Sequence, residues 1–183
     1  MKMHALVRKL RNGVIKIGLA NRPLESAFTY IYSNNAWGHS ETVSGHGSSL
    51  ARTASIRKQL PDLLKRYDIH SLLDVPCGDF NWMKTIDLNG IEYIGGDIVH
   101  GLVKKNHKKY RSENKRFIKI DVTSETPPRV DLIICRDLLI HLPLLDCQKA
   151  IAGFLNSGSL YMLITTYIYQ QENCDIKPGG WRP

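Results

Sequence analysis

Three carboxylates and one glycine carry the first visible chemistry of this sequence. Asp74-Val-Pro-Cys-Gly78-Asp79-Phe80-Asn-Trp82 follows an apolar run, Ser71-Leu-Leu-Asp74-Val75. It precedes a second run, Ile91-Glu-Tyr-Ile-Gly-Gly96, that stops on Asp97. A strand, a tight glycine-containing turn, a short helix and a second strand ending in an acid form half of a nucleotide pocket. The turn brings backbone N–H groups up to a ligand. An ionised carboxylate roughly 20 residues further on accepts hydrogen bonds from two ribose hydroxyls.

The turn also discriminates among nucleotides. A dinucleotide site asks for G-x-G-x-x-G, and here Gly78 stands alone, with Pro76 and Phe80 at the flanking alternate positions. Their side chains hinder the close approach that a pyrophosphate needs. No G-x-x-x-x-G-K-[ST] occurs, which excludes P-loop chemistry. An adenosine ligand without a pyrophosphate is what remains.

The elements that must hold these residues alternate along the chain. A helical stripe runs from Ser48 to Tyr67, with Ser48 or Ser49 as its cap and Pro61 as the residue that should kink or restart it. Strands are expected at 71–75, 93–96, 116–120, 131–135 and 160–167. A short helical turn at 79–85 and helices at 101–110 and 146–155, the last capped by Asp146, lie between them. Nearly continuous apolar strands alternating with helices predict an α/β fold: a three-layer αβα, Rossmann-like, mostly parallel sheet. Right-handed crossovers and one reversal of winding give the order 3-2-1-4-5. Residues 1–46 read as an N-terminal arm or helix with cap loops, and 47–183 as the ligand-binding domain.

With 183 residues, 43% hydrophobic and 23% charged, the chain suits one ordinary globular domain. Cys77, Cys135, Cys147 and Cys174 make no CxxC pair, so neither a disulfide framework nor a zinc site is expected, in keeping with a reducing cytoplasm. The net charge of +8 gathers in Lys2 to Lys16 and in Lys104 to Arg111. A lysine-coated helix face is the bland reading, and attraction to nucleic acid or acidic lipid the sharper one. The apolar stretch near the N-terminus is too short to span a bilayer.

Together these residues resemble the class I S-adenosylmethionine-dependent methyltransferases. Strand one plus Asp74-Val-Pro-Cys-Gly78-Asp79 is similar to that family's first motif, [DE]-x-G-x-G-x-G. Asp97 matches its ribose-binding acid and Asp121-Val122 its adenine-binding pair. Arg136-Asp137-Leu-Leu-Ile-His141-Leu-Pro143 matches the region beside the transferred methyl. The resemblance is greatest to a small bacterial subgroup with D-x-P-C-G-D-F-x-W and C-R-D-x-L-x-H-L signatures, and it covers roughly Trp37 to Pro183.

The resemblance implies S-adenosylmethionine as cofactor, held by Asp74, Cys77, Gly78, Asp79, Asp97, Ile98, Asp121, Val122 and Arg136. Asp137 and His141, four apart, fall on one face if their segment is helical. His141 then suits the general base that takes a proton from the acceptor. Trp37, Trp82 and the 44–48 loop are candidates to close over donor or acceptor, and Trp181 and Arg182 to bind the acceptor, a small molecule or glycan bearing oxygen or nitrogen. No metal is implied. The family's sixth and seventh strands have no counterpart before Pro183, so a fold without its last strands and an exposed strand-five edge are expected. The competing readings are a non-catalytic ligand- or partner-binding module, a nucleic-acid-modifying enzyme, and a nicotinamide-dependent oxidoreductase.

Overall fold

The protein is described by a computed structural model over residues 22–166 and 173–182. The expectations for the basic N-terminal stretch and for residue 167 lie outside these residues. Five strands, β1 (Ser71–Asp74), β2 (Glu92–Asp97), β3 (Lys115–Lys119), β4 (Leu132–Cys135) and β5 (Tyr161–Ile164), form one parallel sheet in the order β3-β2-β1-β4-β5. The helices are α1 (Leu24–Ser33), α2 (Ala54–Arg66), α3 (His100–Tyr110) and α4 (Leu144–Asn156). The class and strand order are those expected from the sequence.

Because side chains alternate across a strand, each strand serves two cores. Leu72, Tyr93, Phe117 and Ile134 face a cluster that includes Leu60 and Leu64 of α2 and Val103 of α3. Leu73, Ile94 and Ile133 face Ala150 and Phe154 of α4, with Leu24 and Phe28 of α1 against the same cluster. The Asp131 carboxylate fixes the start of β1 against β4, accepting from the backbone N–H groups of His70 (2.9 Å) and Ser71 (2.8 Å) and from the Ser71 hydroxyl (2.9 Å).

Local details depart from the sequence reading at helix ends. Pro61 does not restart α2, which continues through it from Ala54 to Arg66. The proline is on the exposed side, while Leu60 and Leu64 anchor the helix to the core. That helix starts after Thr53, and Ser48 and Ser49 do not cap it. Residues 46–48 form a separate single turn of 3-10 helix. The 79–85 segment is helical only over Met83–Thr85. Helix α4 begins after Pro143, and its Leu144 N–H donates to the Asp175 carboxylate at 2.8 Å, so the cap comes from 31 residues away rather than from Asp146.

Candidate functional site

The carboxyl ends of β1, β2 and β4 open into a cavity of about 530 Å³. Its floor is the turn after β1. This turn starts with a cis Val75–Pro76 peptide and contains two left-handed residues, Gly78 (φ 54°) and Phe80 (φ 61°). The Gly78 N–H donates to Asp97 Oδ2 at 3.1 Å and the Val99 N–H to Oδ1 at 2.9 Å. The amide of Asn106, buried on α3, donates to the Gly78 carbonyl at 2.7 Å. Glycine is required at 78 twice over: by its φ, and because a Cβ there would collide with Ser44 Oγ.

All of the expected site residues line this cavity except Asp74, Asp79 and Arg182, whose guanidinium is buried and donates to backbone carbonyls instead of facing an acceptor. Asp74 is buried behind the turn, where its Oδ2 accepts from the Tyr93 hydroxyl at 2.9 Å. Asp79 points the other way and fastens the preceding loop: it accepts from Thr42 Oγ1 (2.8 Å), the Val43 N–H (3.1 Å) and Ser44 Oγ (3.1 Å). Its own N–H donates to Ser44 Oγ at 2.9 Å. The sequence shows these acids near the glycine but not which way a bent turn aims them.

Burial sets the electrostatics of the floor. It pushes Asp97 up to about 6, opposed by the N–H groups of Val99, Gly78 and Ile98. It pushes Asp74 up to about 7, opposed by the Tyr93 hydrogen bond and reinforced by the charge of Asp97. The Cys77 thiol is raised well above its ordinary value by burial, which keeps it protonated and inert. On one side Ile98, Val99, Leu102 and Val122 make an apolar wall. Asp121 closes that wall, with one carboxylate oxygen accepting from the Thr123 N–H (2.9 Å) and hydroxyl (2.7 Å). Among the described residues the Val122 N–H donates to none.

The opposite end is built by the segment after β4. Asp137 is left-handed (φ 55°) and precedes a single 3-10 turn, Leu139–His141. The expected helical face shared by Asp137 and His141 therefore does not form, although both reach the cavity. Arg136 pairs with Asp137 at 2.9 Å and donates to the Gly47 carbonyl at 3.0 Å. A Cβ at Gly47 would lie 2.7 Å from the Asp137 carboxylate, so this loop packs as closely as glycine permits. Asp79 and Arg136 thus hold the 42–48 loop from its two ends over the cavity.

His141 is 7% exposed. Its ring stacks on Trp37 (centroids 4.8 Å apart) and meets the edge of Trp181 (5.3 Å). Its Nδ1 lies 2.7 Å from the Gly180 carbonyl. Burial holds its pKa below the ordinary value, opposed by that carbonyl and by Asp137.

Comparison with solved structures places this architecture. DhpI in complex with SAH aligns at a TM-score of 0.55 and 14% identity over 87% of this chain and 76% of that one. The methyltransferase domain of bacterial CtHen1-CN aligns at 0.53 and 12% over 63% and 66%. Magnesium protoporphyrin IX methyltransferase (ChlM) from Synechocystis PCC 6803 with bound SAH aligns at 0.51 and 13% over 81% and 70%. The fold is that of the S-adenosylmethionine-dependent methyltransferases. The chain spans 61% of another protein it aligns with, PH0226 from Pyrococcus horikoshii OT3, at 22% identity and a TM-score of 0.48. No family model matches the sequence, and no curated protein matches it significantly.

Within this methyltransferase fold, the two positions that depart from the glycine pattern both have uncommon backbone geometry. Pro76 takes the cis peptide, and Phe80 adopts the left-handed backbone that a glycine there would favour. The residues missed from sequence are Asn106, Thr42 and Gly180. Each acts on a partner between 28 and 39 positions away, a distance over which no periodic pattern gives a signal.

Proposed function

We propose that this chain is an S-adenosylmethionine-dependent methyltransferase acting on an oxygen or nitrogen of a small molecule or glycan, with His141 as general base. One observation carries the reading: the Gly78 amide and the Asp97 carboxylate are joined at the floor of one cavity. The donor set fits the cofactor. An ionised Asp97 has acceptor capacity for two ribose hydroxyls beyond its backbone bonds. Ile98, Leu102 and Val122 offer a flat apolar wall to adenine, with Asp121 at its edge to accept from an exocyclic amine.

When bound, S-adenosylmethionine supplies a methyl on sulfonium whose leaving thioether is neutral and needs no acid. The work left to the protein is at the other end. His141, neutral at pH 7 because burial lowers its pKa, takes the acceptor's proton as the acceptor's lone pair forms the new bond to carbon. The 42–48 loop and the aromatic wall of Trp37 and Trp181 exclude water and hold the acceptor in line.

Calorimetry with S-adenosylmethionine tests the site directly. Asp97→Ala should weaken binding by roughly 1–3 kcal/mol through loss of charge-assisted hydrogen bonds. Unchanged affinity would mean that the ribose sits elsewhere. His141→Ala should keep donor affinity while slowing formation of S-adenosylhomocysteine, read by mass spectrometry across a panel of hydroxyl and amine acceptors. Tight donor binding with no product on any acceptor would support a binding module instead.

A further inference from the structure

The segment 173–182 is fastened to the turn that carries His141 by bonds out of proportion to its length. The Arg182 guanidinium, 8% exposed, donates to the carbonyls of Leu142 (2.7 Å), Leu139 (2.9 Å) and Cys174 (2.9 Å). Arg182 N–H donates to the Ile140 carbonyl at 3.0 Å, and Gly179 N–H to that of His141 at 2.9 Å. Asp175 ties the far end of the segment to the first turn of α4. Burying a guanidinium is costly unless its N–H groups are satisfied, and here each of its three nitrogens donates to a carbonyl, with the Cys147 sulfur 3.9 Å from one of them. A ten-residue stretch is thereby fastened beside one imidazole.

This clamp determines which ring nitrogen carries the proton. A carbonyl oxygen only accepts, so Nδ1, 2.7 Å from Gly180 O, must be the N–H donor. The neutral ring then has its lone pair on Nε2. Trp37 on one face and Trp181 at the edge keep the ring from turning. The ring lines the cavity, and among the described residues none bonds to Nε2.

We infer that the 173–182 segment positions His141 for catalysis: Arg182 locks the strap, the Gly180 carbonyl holds the proton on Nδ1, and Nε2 is thereby presented to the cavity as proton acceptor. The inference rests on the proposed role of His141. In the step it supports, the acceptor's lone pair bonds to the methyl carbon and the carbon–sulfur pair returns to sulfur. The acceptor's proton passes to Nε2, giving an imidazolium whose Nδ1–H remains bonded to Gly180. Arg182 and Gly180 touch no reacting atom, and both are positioning residues. Among the described residues, the charge that acts on the ring is Asp137 from the β4 side, and the Arg182 guanidinium is held on the Leu139 and Leu142 carbonyls of the turn that carries it.

Long-range proton–nitrogen NMR on nitrogen-15-labelled protein tests this without any acceptor, with His141 assigned by its loss in His141→Gln. The wild-type chain should show Nδ1 protonated and Nε2 bare between pH 7 and 8. Arg182→Gln should lose that single-tautomer signature and move the His141 midpoint upward toward the ordinary histidine value. Asp175→Ala, which loosens only the far end of the strap, should shift both in the same direction by less, and it serves if Arg182→Gln does not fold. A wild-type ring protonated on Nε2 overturns the inference, as does an unchanged spectrum in a folded Arg182→Gln protein. S-Adenosylmethionine calorimetry on the same samples separates the two readings. A wild-type chain that binds no donor refutes the proposed function while leaving the tautomer result standing, and Arg182→Gln should bind donor within about threefold of wild type.

Discussion

Asp74 is a carboxyl group placed where the fold leaves no water, and burial pushes it from 3.8 to about 7. Its folded pKa lies above its unfolded one, so the folded state favours the protonated form. The stability this contributes is fully present below pH 4 and is lost as pH rises to 7. Asn at 74 keeps a carbonyl oxygen to accept from the Tyr93 hydroxyl and never ionises. Asp74→Asn should therefore be more stable than the wild type by roughly 2–4 kcal/mol at pH 8, with the gap closing toward pH 4. Urea denaturation at pH 4, 6 and 8 checks this, and a gap independent of pH would clear Asp74 of the role. Asp97, also raised, to about 6, gives the opposite pH dependence for the ligand, because here the ionised form is the one that binds. Protonation removes an acceptor that the ribose needs. Donor affinity measured by calorimetry should be flat above pH 7 and fall as pH drops through 6, by up to about tenfold per unit. An affinity that holds at pH 5 would show that Asp97 does not bind as a carboxylate.

At the level of elements, the turn after β1 departs most from the family's glycine pattern, and Phe80 shows how it does so. A left-handed non-glycine residue costs roughly 1–2 kcal/mol. The Phe80 ring offsets this by packing against Tyr110 (5.0 Å), Tyr93 (5.1 Å) and Phe117 (5.3 Å), which joins the turn to β2, β3 and α3. Phe80→Ala removes the ring and keeps the backbone cost, so it should destabilise by about 3–5 kcal/mol. Phe80→Gly removes the ring and the cost together, and should melt above the alanine variant by about 1 kcal/mol of stability. Equal melting of the two variants would mean that position 80 relaxes out of its left-handed conformation.

This turn also marks where legibility ends. The nearly continuous apolar runs from Leu72 to Ile134, alternating with helices, gave the sheet, its order and the cavity edge, because burial on both faces writes itself into consecutive apolar residues. Gly78 and Asp97 were legible through their spacing. The directions of Asp74 and Asp79 were not, since left-handed Gly78 lies between them and left-handed Phe80 follows directly, and no propensity encodes that path. The strap on His141 was equally silent: it is made of backbone carbonyls, which every residue has.

Across the whole molecule the two edges of the sheet are managed in opposite ways. Residues 100–119 hold eight lysines and arginines against one acid, most of the net charge of +8. Three of them, Lys115, Arg116 and Lys119, are on the edge strand β3. Helix α3 runs from the cavity end at Asp97 back to the opposite end where β3 begins, so Lys108, Lys109 and Arg111 lie away from the site. That placement makes the charge a guard on an edge to which no further strand pairs among the described residues, rather than a track for a polyanion into the cavity. Edge β5 carries no such guard among the described residues: Leu160 is 60% exposed, Tyr161 44% and Met162 39%, with Tyr67 packed on Tyr161. Unpaired N–H and C=O groups beside exposed apolar side chains template pairing with another chain. The chain should therefore self-associate with rising concentration through β5. Met162→Lys, which puts on β5 the kind of charge that β3 already carries, should lower the weight-average mass seen by light scattering without changing the unfolding midpoint by more than about 0.5 kcal/mol of stability. Lys115→Ala, which removes a guard from β3, should raise it. Scattering unchanged by Met162→Lys would locate the contact elsewhere on the surface.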